Sequence, residues 1–318
     1  MNYADLEWRW AVVLGTALRE GVLEGVCSGP RAPEDLAREL GLDGRAVFTV
    51  LSALEELGVV RERSGEFELR EEHRGPLLDP RHERYAGGRV VHRFELILKW
   101  AELPRILRTG EPAEDRTVPE FEGTQTMARA MRAGSKESAE EITALLLPRL
   151  PEGAEVLDVG GGSGANAESF ARAGARVTVL DRPEVLAVNG EFFSAAGVET
   201  VAGEVDAGLP EGPFDCVYFG NTSHMYGPDW NRRVFRRMYG SLRSGGLLAV
   251  REFVRGAVPP EAGGEAALFA VNMLVLTRSG GTYTFEEYRS WLEEAGFRDA
   301  ELVPVEGRTT SLVLARKP

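Results

Sequence analysis

The chain has 318 residues, of which 37 are basic and 50 acidic, and its net charge of −13 disfavours nucleic acids and anionic membranes as partners. A hydrophobic content of 43% is typical of a globular protein, and the length predicts two domains. Only Cys27 and Cys216 occur, far apart in the sequence, which indicates reduced thiols rather than a disulfide framework. No signal-like segment and no apolar run approaching the ~20 residues of a bilayer span is present, so we expect a cytoplasmic protein.

The first eighty residues have the pattern of a separate unit. Apolar residues recur at helical spacing in three segments, and Pro33 suits the first turn of the second helix. Val59-Val60 and Phe67–Leu69 flank Ser64-Gly65, a pattern that predicts a small hairpin. Three helices followed by a hairpin are typical of a winged helix.

A winged helix is usually a DNA reader, but the charge of this unit opposes that role. Residues 1–80 contain nine basic and sixteen acidic side chains, a net charge of −7. The helix that would enter the groove offers Arg45 at its start but Glu55 and Glu56 near its end. Such a surface would repel phosphates. We therefore expect a dimerisation unit, with Trp8 and Trp10 on the first helix as a partner surface.

Residues 81–150 connect this unit to the rest of the chain. The periodicity predicts one helix from Val90 to Leu107, with Pro104 near its end. Thr109–Pro119 is polar, acidic and proline-containing, which predicts a loop, and a further helix is expected over Lys136–Leu147.

From residue 151 onward, strands and helices alternate, which predicts a parallel sheet covered on both faces. The last two strands have no helix between them and should pair antiparallel. Thr284 and Glu287 form a possible capping box for the helix that follows. The predicted strands are 155–159, 176–180, 198–202, 214–219, 247–253, 300–304 and 309–315.

The segment Glu155–Leu186 carries the strongest functional signal: a strand, a glycine-rich turn, a helix, a second strand and an acid. Asp181 lies 21 residues after Gly160, close to the spacing at which a carboxylate meets a ribose hydroxyl. The pattern predicts a nucleoside cofactor. The glycines of the turn are Gly160, Gly161, Gly162 and Gly164.

The glycine pattern alone also fits a dinucleotide, but the acids around it point elsewhere. Asp158 stands just before the turn, where it would repel a pyrophosphate and attract the ammonium of an amino-acid tail. Glu204 and Asp206 follow the next strand, and either carboxylate can accept a hydrogen bond from an adenine amine.

The successive motifs LDVGGGSG, VLDRPEVL, AGEVDAGLPEGPFDCVYF and GSLRSGGLLAV resemble those of class I S-adenosylmethionine-dependent methyltransferases. The resemblance covers essentially the whole chain and looks closest to the bacterial small-molecule O-methyltransferases. It implies an α/β fold: a Rossmann-like seven-stranded domain (151–318), preceded by a mainly α winged-helix-like dimerisation domain (1–80) and a helical linker (81–150). S-adenosylmethionine is the implied cofactor, and a homodimer the implied assembly. The implied cofactor contacts are Asp158, the four glycines, Asp181, Arg182, Glu204, Val205, Asp206 and Asn221.

Within this family resemblance, His224 occupies the position of the catalytic base and Glu252 that of the acid that orients it. A phenol has a pKa of ~10 and an imidazole one of ~6.5, so a positioned histidine can take the proton as the methyl group is transferred. Met225 and Tyr226 depart from the Asp-Trp of the plant enzymes, and Thr282 or Tyr283 replaces their second glutamate.

An acceptor pocket is implied by the same resemblance, although each lining residue taken singly could equally fill core. The expected acceptor is an aromatic or polyketide-like small molecule, and no metal is expected. Two other classes remain open: an S-adenosylmethionine-binding enzyme with a non-methylating outcome such as hydroxylation, and a winged-helix regulator. The expected pocket residues are Phe121, Met127, Met131, Met225, Asn272, Met273 and Tyr283.

Overall fold

The computed structural model describes residues 7–113, 135–257 and 264–318, together with Tyr3 and Arg132. Contacts between Cα atoms divide the chain into two compact units. The first contains the residues up to Ala101, and the second contains 102–113 and the described residues from 135 onward. Among the described residues, no helix has both the length and the apolar character needed to cross a membrane.

The first unit consists of helices and one short antiparallel hairpin. Ser64 and Gly65 both have positive φ at the turn of the hairpin, and this confirms the hairpin predicted around them. The elements are α1 (Trp8–Arg19), α2 (Val22–Gly25), α3 (Pro33–Leu40), α4 (Gly44–Glu56), β1 (Val60–Arg63), β2 (Glu66–Leu69), α5 (Glu71–Leu78) and α6 (Gly87–Trp100).

Helix α6 packs closely on α1 in the core of the first unit. A Cβ at Gly15 of α1 would collide with the side chain of Phe94, so the glycine allows the close approach of the two helices. The guanidinium of Arg19 also lies over the Phe94 ring, 5.2 Å from its centroid. These contacts explain why residues 87–100 group with the first eighty residues.

The single helix predicted from Val90 to Leu107 is wrong. The chain forms two helices, α6, which ends at Trp100, and α7 (Leu103–Thr109), with a turn at Ala101 and Glu102. Pro104 lies in the first turn of α7. A proline lacks the N–H that a helix interior needs but is tolerated in a first turn, so it begins the second helix instead of ending the first. Helix α8 (135–146) follows in the second unit.

The second unit is built on a seven-stranded sheet of described residues with the strand order β10-β11-β7-β6-β3-β4-β5. The strands β3 to β7 are parallel, whereas β11 is antiparallel to both β7 and β10, as predicted for the last two strands. The strands are β3 (Glu155–Val159), β4 (Arg176–Asp181), β5 (Glu199–Ala202), β6 (Phe214–Gly220), β7 (Leu242–Glu252), β10 (Arg298–Pro304) and β11 (Ser311–Arg316).

Helices cover both faces of this sheet, and side chains of β3 alternate between them. Leu157 and Val159 pack with α11 and α13 on one face, whereas Val156 packs with α8, α9 and α10 on the other. The predicted capping box begins α13. The remaining elements are α9 (Ala165–Arg172), α10 (Pro183–Ala195), α11 (Pro228–Ser241), β8 (Val254–Arg255), α12 (Glu265–Leu276), β9 (Tyr283–Thr284) and α13 (Phe285–Ala295).

Candidate active site

The predicted functional residues of the second unit follow the carboxyl ends of neighbouring parallel strands, where doubly wound folds bind their ligands. The glycine-rich turn follows β3, Asp181 ends β4, and residues 203–206 follow β5. The loop that carries His224 follows β6, and Glu252 ends β7. One edge of the sheet therefore carries all of these residues.

The turn after β3 requires glycine for two different reasons. Gly160, Gly162 and Gly164 have φ values of 71°, 53° and 74°, a backbone conformation that favours glycine. Gly161 is restricted by space instead, since a Cβ there would lie 2.7 Å from a methyl group of Val179. Four of the five residues in the turn thus have no side chain, which permits a ligand to approach the backbone closely.

Two side chains hold this turn in place. The carboxylate of Asp181 accepts hydrogen bonds from the backbone nitrogens of Gly162 at 2.7 Å and of Arg182 at 2.8 Å. Burial raises the pKa of Asp181, and these two hydrogen bonds oppose the rise. Asn189 of α10, fully buried, donates from Nδ2 to the carbonyl of Gly162 at 2.8 Å. The sequence analysis missed Asn189, whose signal is a lone amide on an otherwise apolar stretch of helix.

Asp158 is a buried carboxylate that lacks a protein partner for one oxygen. Its side chain is 1% exposed, and Oδ2 has no hydrogen-bond partner among the described residues. Burial, with a smaller contribution from the charge of Asp181, raises the pKa of Asp158 to about 7. A buried carboxylate with one oxygen that lacks a partner among the described residues, next to a glycine-rich turn, fits a ligand that carries a positive charge.

The two acids after β5 have different surroundings. Asp206 accepts a hydrogen bond from the indole nitrogen of Trp230 at 2.7 Å, and Trp230 stacks on Tyr226 with 3.7 Å between ring centroids. The side chain of Glu204 is exposed and forms no hydrogen bond or ion pair within the described part of the chain. Asp206 therefore fixes an aromatic pair, while the carboxylate of Glu204 is available to a ligand. Val205, between them, packs against the core.

Two further predicted cofactor contacts lie near the strand ends. Arg182 follows β4 and forms an ion pair with Glu184 at 3.3 Å. Asn221 follows β6, has a φ of 52°, and donates its backbone N–H to the carbonyl of Arg251 at 2.9 Å. Asparagine is among the few side chains that tolerate this left-handed conformation, which commonly marks functional loops.

His224 and Glu252 form a buried pair. The ring nitrogen Nδ1 of His224 lies 2.7 Å from Oε2 of Glu252, and the backbone N–H of His224 donates to Oε1 at 3.3 Å. His224 is 8% exposed and Glu252 fully buried. Because an ionised carboxylate only accepts hydrogen bonds, the contact places the proton of the neutral imidazole on Nδ1 and the lone pair on Nε2.

Aromatic side chains cover one side of this pair. The ring of Phe269 meets His224 edge-on, with 4.8 Å between centroids and an angle of 89°. Phe253, next to Glu252, stacks on Phe269 with 3.9 Å between centroids. The sequence analysis missed Phe269, because an apolar residue on the apolar helix α12 has the same pattern as a core residue.

Tyr283 has a partner that the sequence did not predict. Its hydroxyl donates to the carbonyl of Tyr226 at 2.5 Å, and its ring packs on Tyr288 and Trp291. Burial, followed by the charges of nearby acids, raises the pKa of Tyr283 to about 12. The hydroxyl thus holds the backbone of the loop that carries His224. Thr282 is buried, with no hydrogen-bond partner for its hydroxyl among the described residues.

The other predicted pocket residues divide into two groups. Met225 is exposed beside His224, Asn272 is half-buried and Met273 is buried, both on α12. Phe121, Met127 and Met131 lie outside the described residues. Over the described ranges, 7–113, 135–257 and 264–318, no group of three or more His, Cys, Asp or Glu side chains could hold a metal ion.

Comparison with known proteins gives consistent results for sequence and for structure. A model of the O-methyltransferase domain matches residues 121–298. The chain is 30% identical to the 3-hydroxy-5-methyl-1-naphthoate 3-O-methyltransferase of Streptomyces sahachiroi, over 91% of this chain and 86% of that protein. It is 28% identical to the tetracenomycin polyketide synthesis 8-O-methyl transferase of Streptomyces glaucescens, over 89% of this chain and 86% of that protein.

One solved structure extends the comparison to the fold. An O-methyltransferase from neocarzinostatin biosynthesis, crystallised with S-adenosylmethionine and 2-hydroxy-5-methyl naphthoic acid, superposes with a TM-score of 0.73. The superposition covers 99% of this chain and 97% of that chain, at 21% sequence identity. At that identity, the likeness concerns the fold.

Proposed function

Because the chain belongs to the O-methyltransferase domain family, we propose that it transfers a methyl group from S-adenosylmethionine to a hydroxyl of an aromatic or polyketide-like small molecule. His224 is the general base and Glu252 orients it. The observation that carries this proposal is the buried contact between Nδ1 of His224 and the carboxylate of Glu252. That contact leaves Nε2 as the basic nitrogen, at the edge of the sheet where ligands bind.

The residues around the glycine-rich turn fit S-adenosylmethionine, which supplies an electrophilic methyl group on a sulfonium when bound. Asp158, whose Oδ2 has no partner among the described residues, would hold the ammonium, and the turn Gly160–Gly164 would let the methionine tail approach the backbone. Asp181 would accept from the ribose hydroxyls with its remaining lone pairs. Glu204, whose side chain has no protein partner among the described residues, would accept from the adenine amine in preference to Asp206, which Trp230 occupies.

The chain's own contribution to the chemical step is removal of a proton from the acceptor. Nε2 of His224 would take the proton from the acceptor hydroxyl as that oxygen gains the methyl group, while the electron pair of the broken bond between sulfur and carbon stays with the departing S-adenosylhomocysteine. Glu252 keeps the imidazole in the required tautomer and stabilises the imidazolium that results. Tyr283, at the position of the second glutamate of the plant enzymes, donates its hydroxyl to a backbone carbonyl and not to the ring of His224. We therefore expect acidic hydroxyls, as in a quinol or an acylphenol, to react faster than simple alcohols.

The class of acceptor rests on the relatives and on the wall beside the base. The relatives act on a naphthoate and on a polyketide. Next to His224, the stacked rings of Phe269 and Phe253 form an apolar surface that suits a flat aromatic molecule. Both observations support an aromatic acceptor, and neither selects one compound.

The proposal includes a homodimer formed through residues 1–80, with neither a nucleic acid nor a membrane as partner. On α1, Trp8 is 61% exposed, and large aromatic side chains are enriched at protein interfaces. The acidic charge of this unit opposes binding to phosphates. A second copy of the chain is the occupant that we propose for this face.

A screen that measures both products of methyl transfer tests the proposed function. The protein is incubated with S-adenosylmethionine and a library of phenols, quinols and acylphenols, and S-adenosylhomocysteine is measured together with the mass of the acceptor. Methyl transfer predicts equal amounts of S-adenosylhomocysteine and of a product heavier by one methylene group. A product that gains oxygen without S-adenosylhomocysteine would instead indicate the non-methylating alternative.

A further inference from the structure

Asn231 is a fully buried amide in the first turns of α11, directly after the loop that carries His224. Its Nδ2 donates to three backbone carbonyls of that loop, those of Ser223 at 3.1 Å, Tyr226 at 3.2 Å and Gly227 at 3.2 Å. These carbonyls lie on both sides of His224 in the sequence. The side chain of Asn231 therefore links the two parts of the loop that flank His224.

The other end of the same amide is also bound. Oδ1 of Asn231 accepts from the hydroxyl of Ser223 at 2.7 Å, and that hydroxyl lies 3.1 Å from the hydroxyl of Tyr288 on α13. The amide has one favourable orientation, because the reversed one would set Oδ1 against the three carbonyl oxygens and lose all three of those bonds. Helices α11 and α13 thus hold the loop through one polar network.

His224 is held in two separate ways. Glu252 binds the ring and the backbone N–H, and these contacts determine the direction of the imidazole. Asn231 binds the carbonyls before and after His224, while the N–H of Gly281 donates to the carbonyl of His224 itself at 2.9 Å. The Asn231 contacts tie the backbone on both sides of His224 to α11, a constraint that Glu252 does not supply.

We infer that Asn231 is a positioning residue for the base, holding the backbone of His224 so that Nε2 reaches the acceptor hydroxyl. This inference rests on the proposed role of His224. Without the amide, the carbonyls of Ser223 and Tyr226 each lose one of two donors and keep only the N–H of Tyr226 and the hydroxyl of Tyr283, so the loop is no longer tied to α11 on both sides of His224. A displacement of about 1 Å in a catalytic group can cost about 100-fold in rate.

The first test compares two truncations on the same helix. Asn231→Ala should lower kcat by roughly 10- to 100-fold and change the Kd for S-adenosylhomocysteine by less than about twofold. Ser241→Ala, also on α11, removes a buried hydrogen bond to the carbonyl of Pro210 without touching the loop, and should leave kcat unchanged. An equal loss of kcat in both variants would overturn the inference, since it would reflect damage to the helix.

The second test asks whether the effect of Asn231 passes through His224. In a His224→Ala background, Asn231→Ala should cause no further loss of turnover, because the group that it positions is absent. If the losses of turnover in the two single variants multiply in the double variant, the positioning role is refuted. If the wild-type protein methylates no acceptor in the screen, the proposed function itself fails. The inference is then tested by hydrogen exchange, which does not require activity.

Hydrogen exchange gives a measurement that does not depend on activity. The amides of Met225, Tyr226 and Gly281 donate to or within the loop. In Asn231→Ala they should exchange faster than in the wild type, while amides of β3 keep their rates. Unchanged exchange in the loop would show that the amide does not hold it, and would sink the inference even in an active enzyme.

Discussion

The carboxylate of Asp181, at the end of β4, accepts a hydrogen bond of 2.7 Å from the backbone nitrogen of Gly162, in the turn after β3. The acid proposed to bind the ribose thus also shapes the turn proposed to bind the methionine tail. A single side chain couples the two halves of the proposed cofactor site.

Asp181→Ala should therefore weaken binding of S-adenosylhomocysteine by ~1–3 kcal/mol, because it removes a charged hydrogen-bond acceptor and loosens the turn. Calorimetry of the binding reaction measures the loss. Glu191→Ala is a suitable control, since Glu191 is an exposed carboxylate on α10 whose side chain forms no hydrogen bond or ion pair among the described residues. Tight binding of NAD by the wild type would contradict the cofactor assignment.

Binding of the cofactor should release a proton below neutral pH. The pKa of Asp158 is raised to about 7 in the free protein, so at pH 6 the carboxyl is mostly protonated. An ammonium favours the ionised form, and binding at pH 6 must expel that proton, whereas at pH 8 the carboxyl is already ionised. Affinity should accordingly rise as the pH increases through about 7. Calorimetry in buffers of different ionisation enthalpy counts the proton.

Asp158→Asn provides the control for this linkage. The variant should bind more weakly at pH 8 and release no proton at pH 6, because the titrating group is gone. Proton release that persists in Asp158→Asn would assign the effect to another group.

His224→Ala should lower turnover by ~10²–10⁴ with little change in cofactor affinity, because a base acts in the chemical step only. Glu252→Gln should lose less, since it weakens orientation and charge stabilisation while the base remains. Steady-state rates measured with a quinol and with a simple phenol test both variants. Near-normal turnover of His224→Ala with both acceptors would leave positioning alone to explain the reaction.

Gly161→Ala should impair cofactor binding through steric conflict. The added Cβ would lie 2.7 Å from a methyl group of Val179, so the turn or β4 must move. Because Gly161 does not have the positive φ of its neighbours, space is the cause. The double variant Gly161→Ala/Val179→Ala should regain much of the affinity, measured by calorimetry. If it regains none, the conflict with Val179 is not the reason.

Trp8→Glu should shift the protein from dimer to monomer in light scattering, by placing a charge on the proposed partner surface of α1. Phe48→Glu is the matched control, since Phe48 is a large exposed ring in the same unit but on α4. A wild-type protein that is monomeric and active would refute the dimer. Dissociation by both variants alike would mean that α1 is not the specific interface.

Much of the second unit was predictable from local pattern. Two short apolar runs, one followed by the glycines Gly160–Gly164 and the other ending at Asp181, predicted two strands of the cofactor-binding pattern. The structure confirms both strands. The sequence also predicted the capping box at Thr284 and Glu287, because both of its residues lie within one helical turn. Such features depend on residues that are close in the sequence, so they can be predicted from it.

Contacts between distant residues required the tertiary structure. The choice between Glu204 and Asp206 depends on the indole of Trp230, which comes from another element and occupies Asp206. Asn189 and Asn231 have the residue type of exposed positions, yet each is fully buried because carbonyls of an irregular loop need a donor there.

For β11, the sequence predicted the direction of pairing but not the place of the strand in the sheet. The sequence predicts that the last two strands pair antiparallel, since no helix separates them, but it does not show that β11 inserts between β10 and β7. That order is decided by which strand edge is open when the sheet forms, a property of the assembled molecule. The sequence by itself determined the main strands of the second unit and the cofactor-binding pattern, because these depend on short-range periodicity and turn chemistry. Only the tertiary structure decided where α6 ends and that Asn231 holds the loop of His224, because these depend on contacts between residues of separate elements.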